Sequence, residues 1–352
     1  MRIHFKKPDD WKNAYIHYWN NSSADRSTQW PGEPINNNKD NWHDIEFNSD
    51  SSVNLVFNDG KDMQTNDLFL DREEAWFWNG CFWHVNPDIF RICTFPAGKY
   101  KALVMSYDDG SSQDKRLVEM FNNYGIKGTF HICSGKMKEP GIIKSNEVSS
   151  VYKGHEVSCH SVTHPNLSAM NEKELSAEIL DDKKALEDLV GYKIRGLSYP
   201  FGSYNKLLLE LLVKWGFVYG RVVPETGDFR LPGDLLQWQA SCHHTKAWHL
   251  AEKFIASLSM RMKLFFIWGH SWEFNDSDTS TNNWPYMKKI CAMLGNRNDI
   301  WYASAVDVAE YINAICALQI QKNKIYNPSA LTVYIKHNNE IINVDSCKTI
   351  EL

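Results

Sequence analysis

From Lys99 onward the sequence alternates apolar, strand-like runs with amphipathic helical patterns, joined by short turns. That alternation confines the stretch to folds built from repeated βα units. The strand-like runs are residues 102–107, 129–133, 156–159, 194–199, 218–223, 264–268 and 300–303. The clearest helix starts at Asn171, with Glu174 three residues on as a capping box. It runs through Leu175, Ile179, Leu186 and Leu189 to a stop at Gly191. Helices also fit 114–124, 205–215 and 305–318. About seven strands with intervening helices predict a barrel-like α/β domain.

The N-terminal quarter has a different texture. Seven of the 14 tryptophans (Trp11, Trp19, Trp30, Trp42, Trp76, Trp78 and Trp83) fall in the first 83 residues. Short runs at 13–19, 43–47 and 53–57 are separated by turn clusters such as Trp30-Pro31-Gly32 and Asn58-Asp59-Gly60, which predicts a small β-sandwich. The expected division is 1–90 for this module and 91–320 for the α/β domain. A C-terminal β extension over 321–352 follows, with a strand pair at 331–336 and 340–344.

Charge sets the partners. With 38 Lys+Arg against 43 Asp+Glu and no basic run, nothing in the sequence draws in nucleic acid or an anionic membrane. No apolar stretch approaches the ~18 residues of a membrane helix, and no signal-like segment follows Met1. As written the chain is expected to be cytoplasmic; an export signal removed from it would make the protein secreted or cell-surface. The eight cysteines show no CxxC pairing and are expected to be reduced and mostly buried.

Candidate chemistry sits at strand ends. Tyr107-Asp108-Asp109-Gly110 closes the first strand, where two carboxylates can converge on one site; DDG is also an ordinary turn. Fifty-one residues after Asp109 comes His160-Ser161-Val162-Thr163-His164-Pro165. On a helical turn, imidazoles at i and i+4 share a face and reach one metal at about 2 Å. Two imidazoles and one carboxylate leave coordination positions open, the pattern of a catalytic site, whereas HxxxH by itself reads as a surface pair. Ser198-Tyr199-Pro200-Phe201-Gly202 closes another strand, and His270 follows the apolar run Phe266-Ile267-Trp268-Gly269. His270 reads as a general acid or base.

In the order DDG, HSxxHP, YPFG and a late strand-end His, the sequence resembles the NodB-type polysaccharide deacetylases, the family 4 carbohydrate esterases. The resemblance covers about residues 99–320. It implies a distorted (β/α) barrel holding a divalent metal, zinc first, with cobalt or nickel as alternatives. The implied reaction is hydrolysis of acetyl groups, N-acetyl above O-acetyl, on an acetylated carbohydrate. By motif position, Asp109, His160 and His164 would hold the metal, Asp108 would be the general base, and His270 the acid on the departing amine. Phe201, where the family usually has Tyr, would supply a backbone N–H to the oxyanion.

Departures from the family pattern are specific. The usual Arg two residues before the motif-three Pro is Ser198 here, so the expected partner of the base is missing, and Arg195 would face differently on a strand. The fourth motif is not securely readable: Asp234 and Trp238 are weak candidates, and His243 and His244 read as ordinary polar residues. Glu273, three residues past His270, is a candidate orienting carboxylate.

The N-terminal segment, with Ala14-Tyr15-Ile16-His17-Tyr18-Trp19, Trp30-Pro31-Gly32 and Gln64-Thr65, resembles starch-binding modules of carbohydrate-binding families 25 and 26. Strand alternation puts Ala14, Ile16 and Tyr18 on one face, the expected core, and Tyr15, His17 and Trp19 on the other. His17, Trp19 and Trp30 are the expected sugar platform for an α-glucan or similar polymer, with Gln64 reading hydroxyls. Trp42, Trp76 and Trp78 are expected to fill the core. Together the two resemblances imply a metal-dependent deacetylase tethered to a glucan. The alternatives are a catalytically impaired carbohydrate-binding barrel, motivated by the missing Arg, and an amidohydrolase acting on a non-sugar substrate.

Overall fold

The computed structural model describes residues 1–19, 27–36, 42–46, 52–275 and 280–352. The chain divides into two compact units, Met1–Asp88 and Ile89–Leu352.

The first unit contains β1 (Arg2–Lys6), β2 (Tyr15–Trp19), β3 (Glu33–Pro34), β4 (Trp42–Glu46), β5 (Val53–Asn58), β6 (Leu68–Leu70), β7 (Glu74–Trp78) and β8 (Cys81–Trp83). Two four-stranded sheets, ordered β4-β1-β7-β8 and β3-β2-β5-β6, form a sandwich. Alternation decides which side chains fill it: Ile3 and Phe5 on β1, Ile16 on β2, Leu55 and Phe57 on β5, and Ala75 and Phe77 on β7 are all buried. Ala14 and Ile16 lie in the core and Tyr18 packs against it. Trp42 is buried, but Trp76 and Trp78 are only half-buried, with Trp76 stacked on His4. Trp11 and Trp83 are the other buried indoles. Phe47, at the end of the 43–47 run, lies outside the described residues.

The second unit opens with β9 (Cys93–Thr94) and the fully buried β10 (Lys101–Asp108). Then come α1 (Asp114–Asn123), β11 (Gly128–Ile132), α2 (Val148–Val151), β12 (Glu156–Cys159), α3 (Glu172–Val190), β13 (Gly196–Ser198), α4 (Lys206–Lys214) and β14 (Tyr219–Glu225). β15 (Trp238–Ala240), β16 (Cys242–His243), α5 (Ala247–Ala256), β17 (Lys263–His270), α6 (Trp284–Leu294), β18 (Ile300–Tyr302) and α7 (Ala305–Cys316) complete the α/β part. All pairings are parallel, in the order β15-β14-β13-β12-β11-β10-β17-β16, with β18 also on β10. β15 and β16 are nearly consecutive, yet one pairs with β14 and the other with β17, so the sheet closes on itself as a distorted barrel. Buried on both faces, its strands read as nearly continuous apolar runs, which is why seven of them are legible in the sequence. β15 and β16 are so short, and carry Gln239 and His243, that no run forms.

Helix signals hold at the caps. Asn171 caps α3 with the full reciprocal box to Glu174, and Gly191 ends it in the left-handed conformation. α5 and α6 were not signalled by a clear sequence pattern. The C-terminal strands β19 (Gln319–Gln321), β20 (Lys324–Asn327), β21 (Val333–His337), β22 (Glu340–Val344) and β23 (Lys348–Glu351) belong to the second unit. There β21 pairs with both β22 and β9. Among the described residues no helix is long and apolar enough to cross a membrane.

Candidate metal centre and its supports

The chemistry gathers at the C-terminal edge of the parallel strands, where the sheet stops pairing and side chains are free to converge. β10 ends at Asp108, which sits in register between His131 of β11 and His270 of β17. The chain then turns through Asp109 (φ 77°) and Gly110 (φ 66°). A Cβ on Gly110 would lie 2.9 Å from the Ile132 side chain, so the turn needs glycine for space as well as for its positive φ.

Asp109, His160 and His164 each place a ligating atom within 4.8 Å of the others. His160 Nε2 is 3.7 Å and His164 Nε2 3.9 Å from Asp109 Oδ1. The helical turn expected for HSxxHP is absent: the segment is a bend, with Ser161 and His164 both at positive φ. Its hydrogen bonds explain how it holds a conformation that L-residues resist. His164 N–H donates to Ser161 Oγ, Val162 N–H to the Glu178 carbonyl, and Thr163 N–H and Oγ to the Glu178 carboxylate. Thus α3, through Glu178, shapes the ligand loop.

The donors suit a divalent cation. Burial draws His160 down to about 4 and lowers His164, which keeps both imidazoles neutral at neutral pH. His160 Nδ1 lies 2.8 Å from the Ser198 carbonyl, a contact that fixes the ring with Nε2 toward Asp109. On α3 the buried Asp182 accepts the N–H groups of Ser134 (2.8 Å) and His160 (3.1 Å), pinning the start of the ligand loop.

Asp108 is buried and points into the barrel interior beside this centre. Burial alone would raise its pKa. Arg221, His160 and His131 outweigh burial and hold it well below the ordinary carboxylate range, so the group is ionised. The Arg221 guanidinium bonds to Asp108 Oδ2, Ser198 Oγ donates to Oδ1 at 3.2 Å, and His131 Nδ1 is 3.2 Å from Oδ1. The partner missing from the third motif is therefore supplied by β14. Arg221 is 1% exposed and stacks over the Trp268 ring at 4.6 Å, which offsets part of the cost of burying its charge. Sequence reading missed Arg221 and His131, although each is a polar residue inside an apolar strand run, the mark of a buried group with a partner.

His270 closes the other side. Its Nδ1 lies 3.2 Å from Glu273 Oε1, so Glu273 is the orienting carboxylate. Burial pulls the His270 pKa down, but the Glu273 contact and the charges of Asp108 and Asp109 leave it above the ordinary histidine value. The next residue, Ser271, donates to Asp114 Oδ1 at 2.5 Å, tying this strand end to α1. Trp272 adds an unforeseen contact: its Nε1 donates to Asp109 Oδ2 at 2.9 Å, and its ring lies 5.1 Å from His270.

Phe201, also at positive φ, is 69% exposed and sits edge-on to His164 at 4.6 Å. Trp238 does not join the site. It is a core residue packed on Tyr219 and Phe266, because it pairs with Arg221 on the adjacent strand rather than ending one. Asp234 accepts Leu236 N–H within its own loop. Residues 96–220 match the family described as Polysaccharide deacetylase.

The chain carries a polysaccharide deacetylase domain.

Residues 3–70 match Starch-binding module 26. Over 128 residues the deacetylase part is 29% identical to the peptidoglycan-N-acetylglucosamine deacetylase PgdA of Listeria monocytogenes, covering 35% of this chain and 27% of that protein. A peptidoglycan-N-acetylglucosamine deacetylase of Bacillus cereus is 27% identical over 118 residues, 32% of this chain and 39% of that protein. The chain thus spans well under half the length of these curated relatives. The solved peptidoglycan deacetylase PdaC of Bacillus subtilis is similar at 15% identity and TM-score 0.41, covering 62% of this chain and 95% of that one.

In the starch-binding module, His17 and Trp19 rings lie 5.5 Å apart and His17 and Trp30 rings 5.8 Å apart, so the three aromatic residues do meet. Trp30 is 53% exposed. His17 is steadied by Thr28 Oγ1 at 2.8 Å. Gln64 is exposed and bridges to Asn58, whose side chain donates to the Pro31 carbonyl at 2.9 Å, beside the Trp30 turn.

Proposed function

We propose that the protein hydrolyses acetyl groups, N-acetyl first, from an acetylated carbohydrate at the Asp109, His160 and His164 centre, with zinc as the resident ion. The single observation that carries the reading is the convergence of these three side chains beside an ionised Asp108. A bound divalent ion supplies Lewis-acid polarisation of the acetyl carbonyl and makes water a stronger acid. Asp108, fixed by Arg221, Ser198 and His131, takes the proton from the attacking water. The Phe201 N–H donates to the oxygen on which negative charge develops. His270, whose protonated form Glu273 favours, gives its proton to the departing amine, which leaves poorly without one. Arg221 gives Asp108 a guanidinium partner, which supports this reading over a catalytically impaired barrel.

The N-terminal module supports tethering to an α-glucan. His17, Trp19 and the exposed Trp30 form an aromatic surface of the kind on which pyranose faces stack, and Gln64 stands near enough to the Trp30 turn to read hydroxyls. Starch pull-down of the full chain, against Trp19→Ala and Trp30→Ala, tests this: retention by the parent and loss in the variants is expected. For the catalytic reading, acetate release from acetylated chito-oligosaccharides should depend on Asp108. Release that survives Asp108→Asn unchanged would contradict the reading.

A further inference from the structure

Past His270 lies a second convergence of ligating atoms, of which the reaction above uses only Glu273, through its other oxygen on His270. His243 Nε2 is 3.1 Å and His244 Nε2 3.2 Å from Glu273 Oε2, and the three atoms lie within 4.8 Å of one another. Adjacent residues on a strand face opposite ways. Here β16 ends at His243 and a turn of 3-10 helix, His244–Lys246, begins, so both rings swing to the same side with centroids 4.2 Å apart. Glu273 meets them from the 3-10 helix Ser271–Asn275.

The spacing fits ligands of one ion as well as it fits hydrogen-bond partners. Donor atoms about 2.1 Å from one zinc-like ion stand roughly 3.0–3.4 Å from each other in octahedral or tetrahedral arrangement. Both N···O distances fall in that interval, closer than the pairs of the first centre. Yet Glu273 Oε2 is buried and no imidazole N–H is aligned on it. The three atoms thus converge on one buried position.

The surroundings suit an ion as well. His244 is fully buried. His243 is oriented by Thr245 Oγ1, 2.9 Å from its Nδ1, which leaves Nε2 directed at Glu273. The His244 ring packs so closely on Gly269 that a Cβ there would lie 1.9 Å from Nδ1, so no other residue could stand at that point of β17. His244 Nε2 donates to Asn282 Oδ1 at 2.7 Å, a bond that an ion on Nε2 would replace. Glu273 divides its oxygens, Oε1 to His270 and Oε2 to the two imidazoles.

We propose that His243, His244 and Glu273 form a second cation site, selective for the imidazole-binding divalent ions of the zinc class over calcium or magnesium. The site stands on its own donors. Only its link to turnover, through the carboxylate shared with His270, rests on the function proposed above.

Equilibrium dialysis of the full chain against zinc tests the proposal. The parent is expected to bind two equivalents, and the His160→Ala, His164→Ala double variant one. Adding His243→Gln to that variant should remove the remaining equivalent. His243 is only half-buried, so this change spares the core that His244 occupies, and thermal melts of each variant with and without zinc report folding separately. Loss of the zinc-dependent rise in melting temperature should accompany loss of the last equivalent. A double variant that binds no zinc, or whose residual equivalent is indifferent to His243→Gln, overturns the proposal. Neither outcome touches the acetate-release assay, so failure of this site and failure of the catalytic reading remain distinguishable.

Discussion

The two sides of the barrel mouth are built differently. On the side of the proposed metal ligands, Asp109, His160 and His164 come from two short motifs on irregular backbone, with Asp109, Ser161 and His164 all at positive φ. On the side of the proposed base and acid, Asp108, Arg221 and His270 stand on regular strands, β10, β14 and β17, and their partners come from several separate segments. Metal ligands must meet a fixed distance, so they stay in tight motifs whose loops absorb strain. A guanidinium or carboxylate that only orients another group can be supplied from any strand end that reaches it. Here the third motif has Ser198, and the guanidinium on Asp108 comes from Arg221, one strand over.

The largest effect should follow from removing the metal side. His160→Ala with His164→Ala is expected to abolish zinc binding at that centre and lower acetate release about a thousandfold or more, the several kcal/mol that such an ion contributes. Zinc titration together with acetate release checks it, and unchanged release would erase the distinction between the two sides. Arg221→Met comes next. Leaving Asp108 buried and unpaired should cost about 3–5 kcal/mol of stability, and a misplaced base should lower kcat about a hundredfold. Denaturant unfolding and initial rates measure both; a stable, active variant would show that Arg221 is not the substitute for the missing Arg.

A smaller effect is expected at Asp182→Asn, which weakens the hold on the His160 and Ser134 backbones without touching a ligand atom. Zinc affinity should fall about 10–100-fold, as for other groups that position metal ligands. Glu273→Gln acts on the acid. The imidazolium of His270 is favoured by Glu273, and activity needs that proton, so turnover declines as pH rises through the His270 pKa. Removing the carboxylate lowers that pKa, and the basic limb of kcat should move to lower pH, with roughly a tenfold loss above neutrality. A limb that moves upward, or stays, would show that another group orients the acid.

How much could be read beforehand follows the same division. The barrel strands were legible because parallel strands buried on both faces are continuous apolar runs, and α3 because its capping box is local chemistry. That Asp108, Asp109, His160, His164 and His270 would gather at one end of the sheet was legible from strand-end position and spacing, while their expected roles came from the family resemblance. The helical reading of HSxxHP failed because i, i+4 proximity can also arise from a bend held by another element, here Glu178 of α3. Arg221, His131 and Asp182 were missed because their roles depend on which strands and helices become neighbours, and pairwise spacing in the sequence does not encode that. Trp238 was misplaced for the converse reason: a plausible motif residue faced the core once β15 was in register with β14. His243 and His244 looked ordinary until the fold brought Glu273 to them.

Acetate release from acetylated chito-oligosaccharides by the full chain, measured before chelation, after chelation and after zinc is restored, tests the central claim most directly. The account predicts activity that disappears with the metal and returns with zinc in the parent but not in the His160→Ala, His164→Ala variant. Release that continues undiminished after the metal is removed would contradict it.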